Sequence, residues 1–197
     1  MIRLVAAIMS IVFFFLFTNC QNLSEYDQMV KRELAKGIRQ DSLFLGFYFG
    51  MPSKSFYDHC WKLNKQQIVK EGKNNTTVEY DVSKDLRHSG KMNFYPDFFE
   101  DKIYEIPISF NYDAFAWSQE FSNDTLLVDV LQLLQKQYGD FKEFTHPKKG
   151  SVFVNVNGNR QIRIFTNDMD NSVRAVFTDL TVDKNQVKAA QTSSKSN

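Results

Sequence analysis

The chain has 197 residues with 24 basic and 23 acidic side chains, so its charge is close to balanced. That balance excludes nucleic acid as an expected partner, because phosphate charge dominates such binding, and it argues against electrostatic adhesion to anionic lipid. Hydrophobic residues make up 43% and phenylalanine alone contributes 19 positions, enough for one domain with an aromatic-rich core.

The first element is an apolar leader. Arg3 gives a positive start, Leu4 to Phe17 runs apolar, and Thr18-Asn19 leads into Cys20. The run is too short to span a bilayer and has the length of a signal-peptide core. No Ala-x-Ala-like pattern lies near Phe17. A cysteine directly after such a core resembles the lipobox of bacterial lipoproteins, which implies acylation of the Cys20 thiol and removal of residues 1–19. Ordinary secretion with a nearby cut and a retained membrane helix stand as alternatives. With Cys20 acylated, Cys60 is the only remaining thiol and no internal disulfide can form.

Residues 20–41 read as a tether followed by a helix. Ser24 suits the N-cap and Glu25 and Asp27 the first turn, while Tyr26, Met29, Val30 and Leu34 share a stripe and Gly37 ends it. Leu43 to Phe49 alternates, with Leu43, Leu45, Phe47 and Phe49 on one face, and reads as a strand. Gly50-Met51-Pro52-Ser53 then opens a helix toward Lys65, with Phe56, Cys60 and Leu63 inward and His59 beside them.

Three strands follow, over Thr77–Val82, Lys91–Tyr95 and Ile103–Tyr112, with Pro96-Asp97 as a turn. In the last strand Tyr104, Ile106, Ile108, Phe110 and Tyr112 share a face. Pro107 lacks an N–H, so an unpaired edge or a bulge is expected there. Asn123 to Tyr138 is the clearest helix, capped by Asn123 or Ser122 and closed by Gly139. Ser151–Val156 and Arg160–Phe165 form a hairpin across Asn157-Gly158. After a loop, Val173–Leu180 is the final strand, and the apolar-poor stretch from Asp183 to Asn197 reads as a mobile tail.

This order predicts an α+β fold with helices packed on one face of an antiparallel sheet, naturally arranged as two helix-plus-three-strand units. The expected divisions are a signal peptide at 1–19, the tether and helix at 20–41, one domain at 42–182 and a disordered tail at 183–197. The domain's halves are 42–117 and 118–182.

Phe49-Gly50-Met51-Pro52-Ser53 ahead of Phe56 resembles the strand-to-helix turn of small tandem-repeat domains. These are the beta-lactamase-inhibitor-protein fold and the small lipoprotein of the outer-membrane assembly machinery. Tyr138-Gly139-Asp140 followed by the Asn157-Gly158 hairpin resembles the second halves of lipoproteins from Bacteroidota-type bacteria. The resemblance implies protein–protein binding rather than catalysis.

Candidate chemistry is sparse. His59, His88 and His146 lie far apart, without a second ligand at helical spacing. His59 and Cys60 are adjacent on a helix and diverge, so Cys60 reads as a small buried hydrophobe rather than a nucleophile. Asp168-Met169-Asp170-Asn171 imitates the opening of a calcium loop, but Val173 stands where glycine is needed, and a hairpin turn explains it better. Asp97, Glu100 and Asp101 offer the carboxylates of a glycosidase pair but fit a solvated turn beside Pro96. Asp41-Ser42-Leu43 and Asp124-Thr125-Leu126 resemble the O-glycosylation triplet of exported Bacteroidota proteins. Phe98, Phe99, Phe115, Trp117 and Trp61 are either core or an aromatic contact surface.

No catalytic, metal or cofactor residues are therefore assigned. The expectation is a protein anchored to the membrane through lipid at Cys20 and facing the periplasm. Glu25 is the first acid after Cys20, which resembles retained rather than surface-exported lipoproteins, and Gln21 after the cysteine resembles outer-membrane sorting. Its expected role is binding a protein or another envelope component. A hydrolase with a site built from distant loops and an inhibitor or immunity-type module are the alternatives.

Overall fold

The computed structural model describes residues 24–72, 75–114, 118–147, 150–167 and 169–194. Its centre is the longest strand, β5 (Lys102–Tyr112), whose inward residues Ile106, Ile108 and Phe110 are all but inaccessible to solvent. Their strict alternation, with two of the three β-branched, suits a pleated surface buried on one side.

Around β5 the described residues form one nine-stranded antiparallel sheet and four helices. Helix α1 (Glu25–Ala35) precedes α2 (Ser53–Lys65), which is followed by β1 (Val69–Glu71), β2 (Val78–Asp81), β3 (Gly90–Phe94) and β4 (Asp97–Phe99) leading into β5. Helix α3 (Asn123–Tyr138) is followed by β6 (Lys142–His146), β7 (Gly150–Asn157), β8 (Arg160–Asn167) and β9 (Ser172–Asp179), and α4 (Lys184–Ser194) closes the chain. The strands lie in the order β1-β2-β3-β5-β9-β8-β7-β6, with β4 as a short extra partner of β5. Each half is thus a helix and a meander, and the two meanders meet through their last strands. At that seam Ile106 lies opposite Phe177, Ile108 opposite Ala175 and Phe110 opposite Val173. The expected α+β class is present, with five strands in the first unit and four in the second rather than three in each. The additions are β4 and the edge strands β1 and β6, whose apolar alternation is too brief to read.

The two domain helices share one face. Phe56 and Leu63 of α2 and Leu126, Val130 and Leu134 of α3 join Phe94, Phe110, Ile162, Ile164 and Phe177 in one core. Ser122 caps α3, its Oγ accepting from the Thr125 N–H, and Gly139 ends it with φ +87°.

Leu43–Phe49 is not a strand. Leu45 and Gly46 take φ of +51° and +81°, the Leu43 N–H donates to Phe47 O, and Phe47 N–H donates to Phe44 O. The segment turns back on itself as an aromatic plug. Phe44 and Phe47 both point inward, meeting Phe94 at 4.9 and 5.4 Å between ring centres. Alternating hydrophobicity failed here because a tight turn can bury residues of either parity.

Pro107 stands at an interruption. On that flank β3 ends with Phe94 opposite Ile108 and β4 begins with Asp97 opposite Glu105, which leaves Pro107 without a ladder partner. The expected Pro96-Asp97 turn instead becomes the start of β4, and the turn proper falls at Glu100-Asp101, both at positive φ. The later hairpin is also displaced by one residue: Asn157 pairs with Arg160, so Gly158-Asn159 make the two-residue loop. Gly158 has φ +57°, and a Cβ there would overlap the carbonyl oxygen of Ile38. Asn159 holds the incoming chain beside it, accepting from the Gln40 N–H at 2.6 Å and donating to Asp41 at 3.0 Å.

The reverse face of the sheet is covered unequally. Ser24 caps α1 as expected, and Tyr26 and Met29 pack on Val152, Val154 and Phe165 of the second half. The segment expected to be a mobile tail is helical through Ser194, with Val187 buried; Val187, Ala189 and Ala190 are its only apolar residues, which is a weak periodic signal. Lys184 at its start approaches Glu105 on the same face.

Candidate functional site

Over the first half the reverse face is open. Its outward positions are polar in sequence: Lys70 on β1, Glu79 on β2, Lys91 and Asn93 on β3, and Ser109 and Asn111 on β5. They line a groove of about 1050 Å³, rimmed by Gly72, Thr76 and Thr77, by Tyr95, and by Asp170 and Arg174.

The groove's cations are neutralised locally. Lys70 Nζ lies 3.0 Å from Glu79, Lys91 Nζ lies 3.0 Å from Asp113 and 3.9 Å from Glu79, and Arg174 pairs with Asp170. The hydrogen bond to Asp113 raises the pKa of Lys91 above that of a free lysine. Between these pairs stand amides and hydroxyls. Ser109 Oγ donates to Asn111 at 2.9 Å, and Thr77 Oγ1 donates to Asn93 at 3.2 Å.

Around the sheet edge the groove borders a second cavity of about 760 Å³ beneath the outer side of α2, sharing Lys70, Glu71, Thr77 and Tyr95 with it. Tyr57 and Trp61, one helical turn apart, are 52% and 61% exposed. The Tyr57 and Tyr95 hydroxyls lie 2.5 Å apart, a contact that together with burial pushes the Tyr95 pKa up to about 12. Lys65 Nζ sits 3.5 Å from the Trp61 ring centre.

Of the aromatic residues singled out in the sequence, Trp61 is on this surface. Phe98 is half-buried and packs on the main core, 5.9 Å from Phe56, and Phe99 is half-buried beside it on β4. Phe115, Trp117 and Cys20 lie outside the described residues. Tyr57 and Tyr95 were missed. Tyr57 lies on the outward stripe of its helix, a sign visible in the sequence, but Tyr95 follows a strand and nothing local distinguishes it from a core residue.

The titratable candidates go elsewhere. His59 Nε2 is hydrogen-bonded to Leu45 O at 2.7 Å, and burial lifts the Cys60 thiol to about 11, so it stays protonated at neutral pH. His88 packs between Tyr112 and Phe121. Asp97 is raised by burial and by Glu105 opposite it, while Asp101 accepts a hydrogen bond from Ser53. Asp170 holds Ser172 and Arg174, and Asp168 lies outside the described residues. Among the described residues no cluster of three or more His, Cys, Asp or Glu is placed to hold a metal ion, and no helix is long and apolar enough to cross a membrane.

Comparison with family models, with curated proteins and with solved structures finds no match to this chain.

Proposed function

We propose that the protein is a lipid-anchored component of the bacterial cell envelope, attached through Cys20 to the outer membrane and facing the periplasm. In this reading its domain is a binding module rather than an enzyme. The leader and the position of Cys20 support the anchor. Only Gln21 to Leu23 separate Cys20 from the α1 cap, a reach of at most about 15 Å. An anchored thiol therefore holds the covered half of the sheet near the membrane. The groove over β1 to β3 then lies about 25–30 Å away across the sheet, clear of the lipid.

The observation that carries the binding role is the unequal cover of the reverse face. One half is packed under α1, and the other presents a polar groove flanked by braced, exposed aromatic rings. Such rings on a surface suit recognition, since Tyr and Trp offer large contact area with few rotatable bonds. Two experiments test the reading. Cys20→Ala should move the protein out of the membrane fraction, and unchanged retention defeats the anchor. A photo-crosslinker at Ser109 should form an adduct in intact cells, whereas one at Lys188 on α4 should not. Absence of any groove-specific adduct defeats the binding role.

A further inference from the structure

Resting on that binding role, we propose that the groove and its aromatic rim take an uncharged carbohydrate chain. The first argument is charge. Seven of the sixteen groove residues are charged, three cations and four carboxylates, and each cation already lies against a carboxylate of the groove. A phosphate-bearing or polyanionic ligand would face four carboxylates against three cations, each of the three already beside a carboxylate. A polycation would gain at most the single excess carboxylate. Neutral ligands incur neither cost.

The second argument separates a sugar from a protein surface. Protein interfaces deplete charge at their centres and fill them with apolar groups. This floor is mixed: Lys91, Glu79 and Lys70 stand on it alongside Pro107, and the aromatic rings lie to one side. Asn93, Asn111, Ser109 and Thr77 each both donate and accept hydrogen bonds, which matches the dual character of sugar hydroxyls. Carbohydrates also have faces of C–H groups, and aromatic π-faces attract such weakly positive hydrogens. Tyr95 borders both cavities and Tyr57 and Trp61 line the second, where Trp61 stays largely exposed although Lys65 Nζ lies over one face of its ring. The shared hydroxyl contact of Tyr57 and Tyr95 holds two of them in place.

The test uses the full chain in detergent micelles, with cellohexaose, chitohexaose and mannohexaose as neutral probes and hexagalacturonate and hexalysine as charged ones. The expected result is a saturable shift in indole fluorescence with at least one neutral hexasaccharide, absent with both charged probes and insensitive to salt. Trp61→Ala should abolish the spectral shift, and calorimetry on it and on Asn93→Ala should show affinity reduced about tenfold or more. Trp61 is solvent-facing, so its replacement leaves the fold intact, and far-ultraviolet circular dichroism checks this directly. Binding that salt abolishes, or that persists unchanged in both variants, overturns the carbohydrate assignment. So does the absence of hexasaccharide binding when the Ser109 crosslinker captures only polypeptide, in which case the binding role survives. If the crosslinker also captures nothing, both readings fall.

Discussion

The two halves of the sheet share a plan, a helix followed by an antiparallel meander, yet they treat their reverse faces differently. In the second half Val152, Val154 and Phe165 point outward from the helix layer and would be a wet apolar patch without α1. In the first half the corresponding outward positions hold Lys70, Glu79, Lys91 and Asn93, which are satisfied by ion pairs and hydrogen bonds within the groove. Two strands of similar inward pattern can thus belong to a structural or a recognition surface, and only the outward residues decide which. The apolar set demands a cover and the polar set allows an opening.

The comparison breaks most visibly at the seam. Phe177 is fully buried where the halves meet, so Phe177→Ala should cost about 3–5 kcal/mol. Urea unfolding should remain a single transition by circular dichroism. Two separated transitions would show that the halves are independent and that the comparison concerns two domains.

A smaller effect is expected at Asp129, which ties α3 to the first half. Burial alone would raise its pKa, but the Arg87 backbone N–H, the Tyr112 hydroxyl and the Arg87 guanidinium outweigh that and hold it below the usual 3.8. The hydrogen bonds from Arg87 Nε and Tyr112 Oη measure 2.5 and 2.8 Å. Because the folded-state pKa lies below the unfolded one, this stabilisation is complete above the unfolded value and disappears as pH falls through the folded value. Asp129→Asn should cost about 2 kcal/mol at neutral pH and flatten the acid limb of the stability profile. An unaltered acid limb would remove Asp129 from the account.

The covered and open faces themselves differ least in energy but most in sign of argument. Met29→Ala should destabilise by about 1 kcal/mol through lost apolar burial under α1. Lys91→Ala in the groove should stay within about 0.5 kcal/mol, because exposed ion pairs contribute little. Equal effects at the two positions, measured by denaturant midpoint, would dissolve the distinction between a structural and a free surface.

Local sequence was informative wherever one face of an element met the core. Asn123 to Tyr138 is helical over the expected residues, since its cap, its stripe and Gly139 all agree. The inward face of β5 was equally plain. Leu43–Phe49 misled because its alternation is real but belongs to a turn. The site was less legible than the fold. Trp61 was visible as a candidate, while the groove joins residues from β1, β2, β3 and β5 that are as far apart as Lys70 and Asn111.

By itself the amino-acid sequence determined the α+β class, the long helices, the strand over Ile103–Tyr112 and the balanced charge. These follow from short-range periodicity and composition, which each segment carries on its own. Tertiary structure alone decided that the meanders join through β5 and β9, that α1 covers one half, and that Tyr57 meets Tyr95. Those outcomes depend on which apolar faces find each other across long chain separations, and no local pattern records that competition.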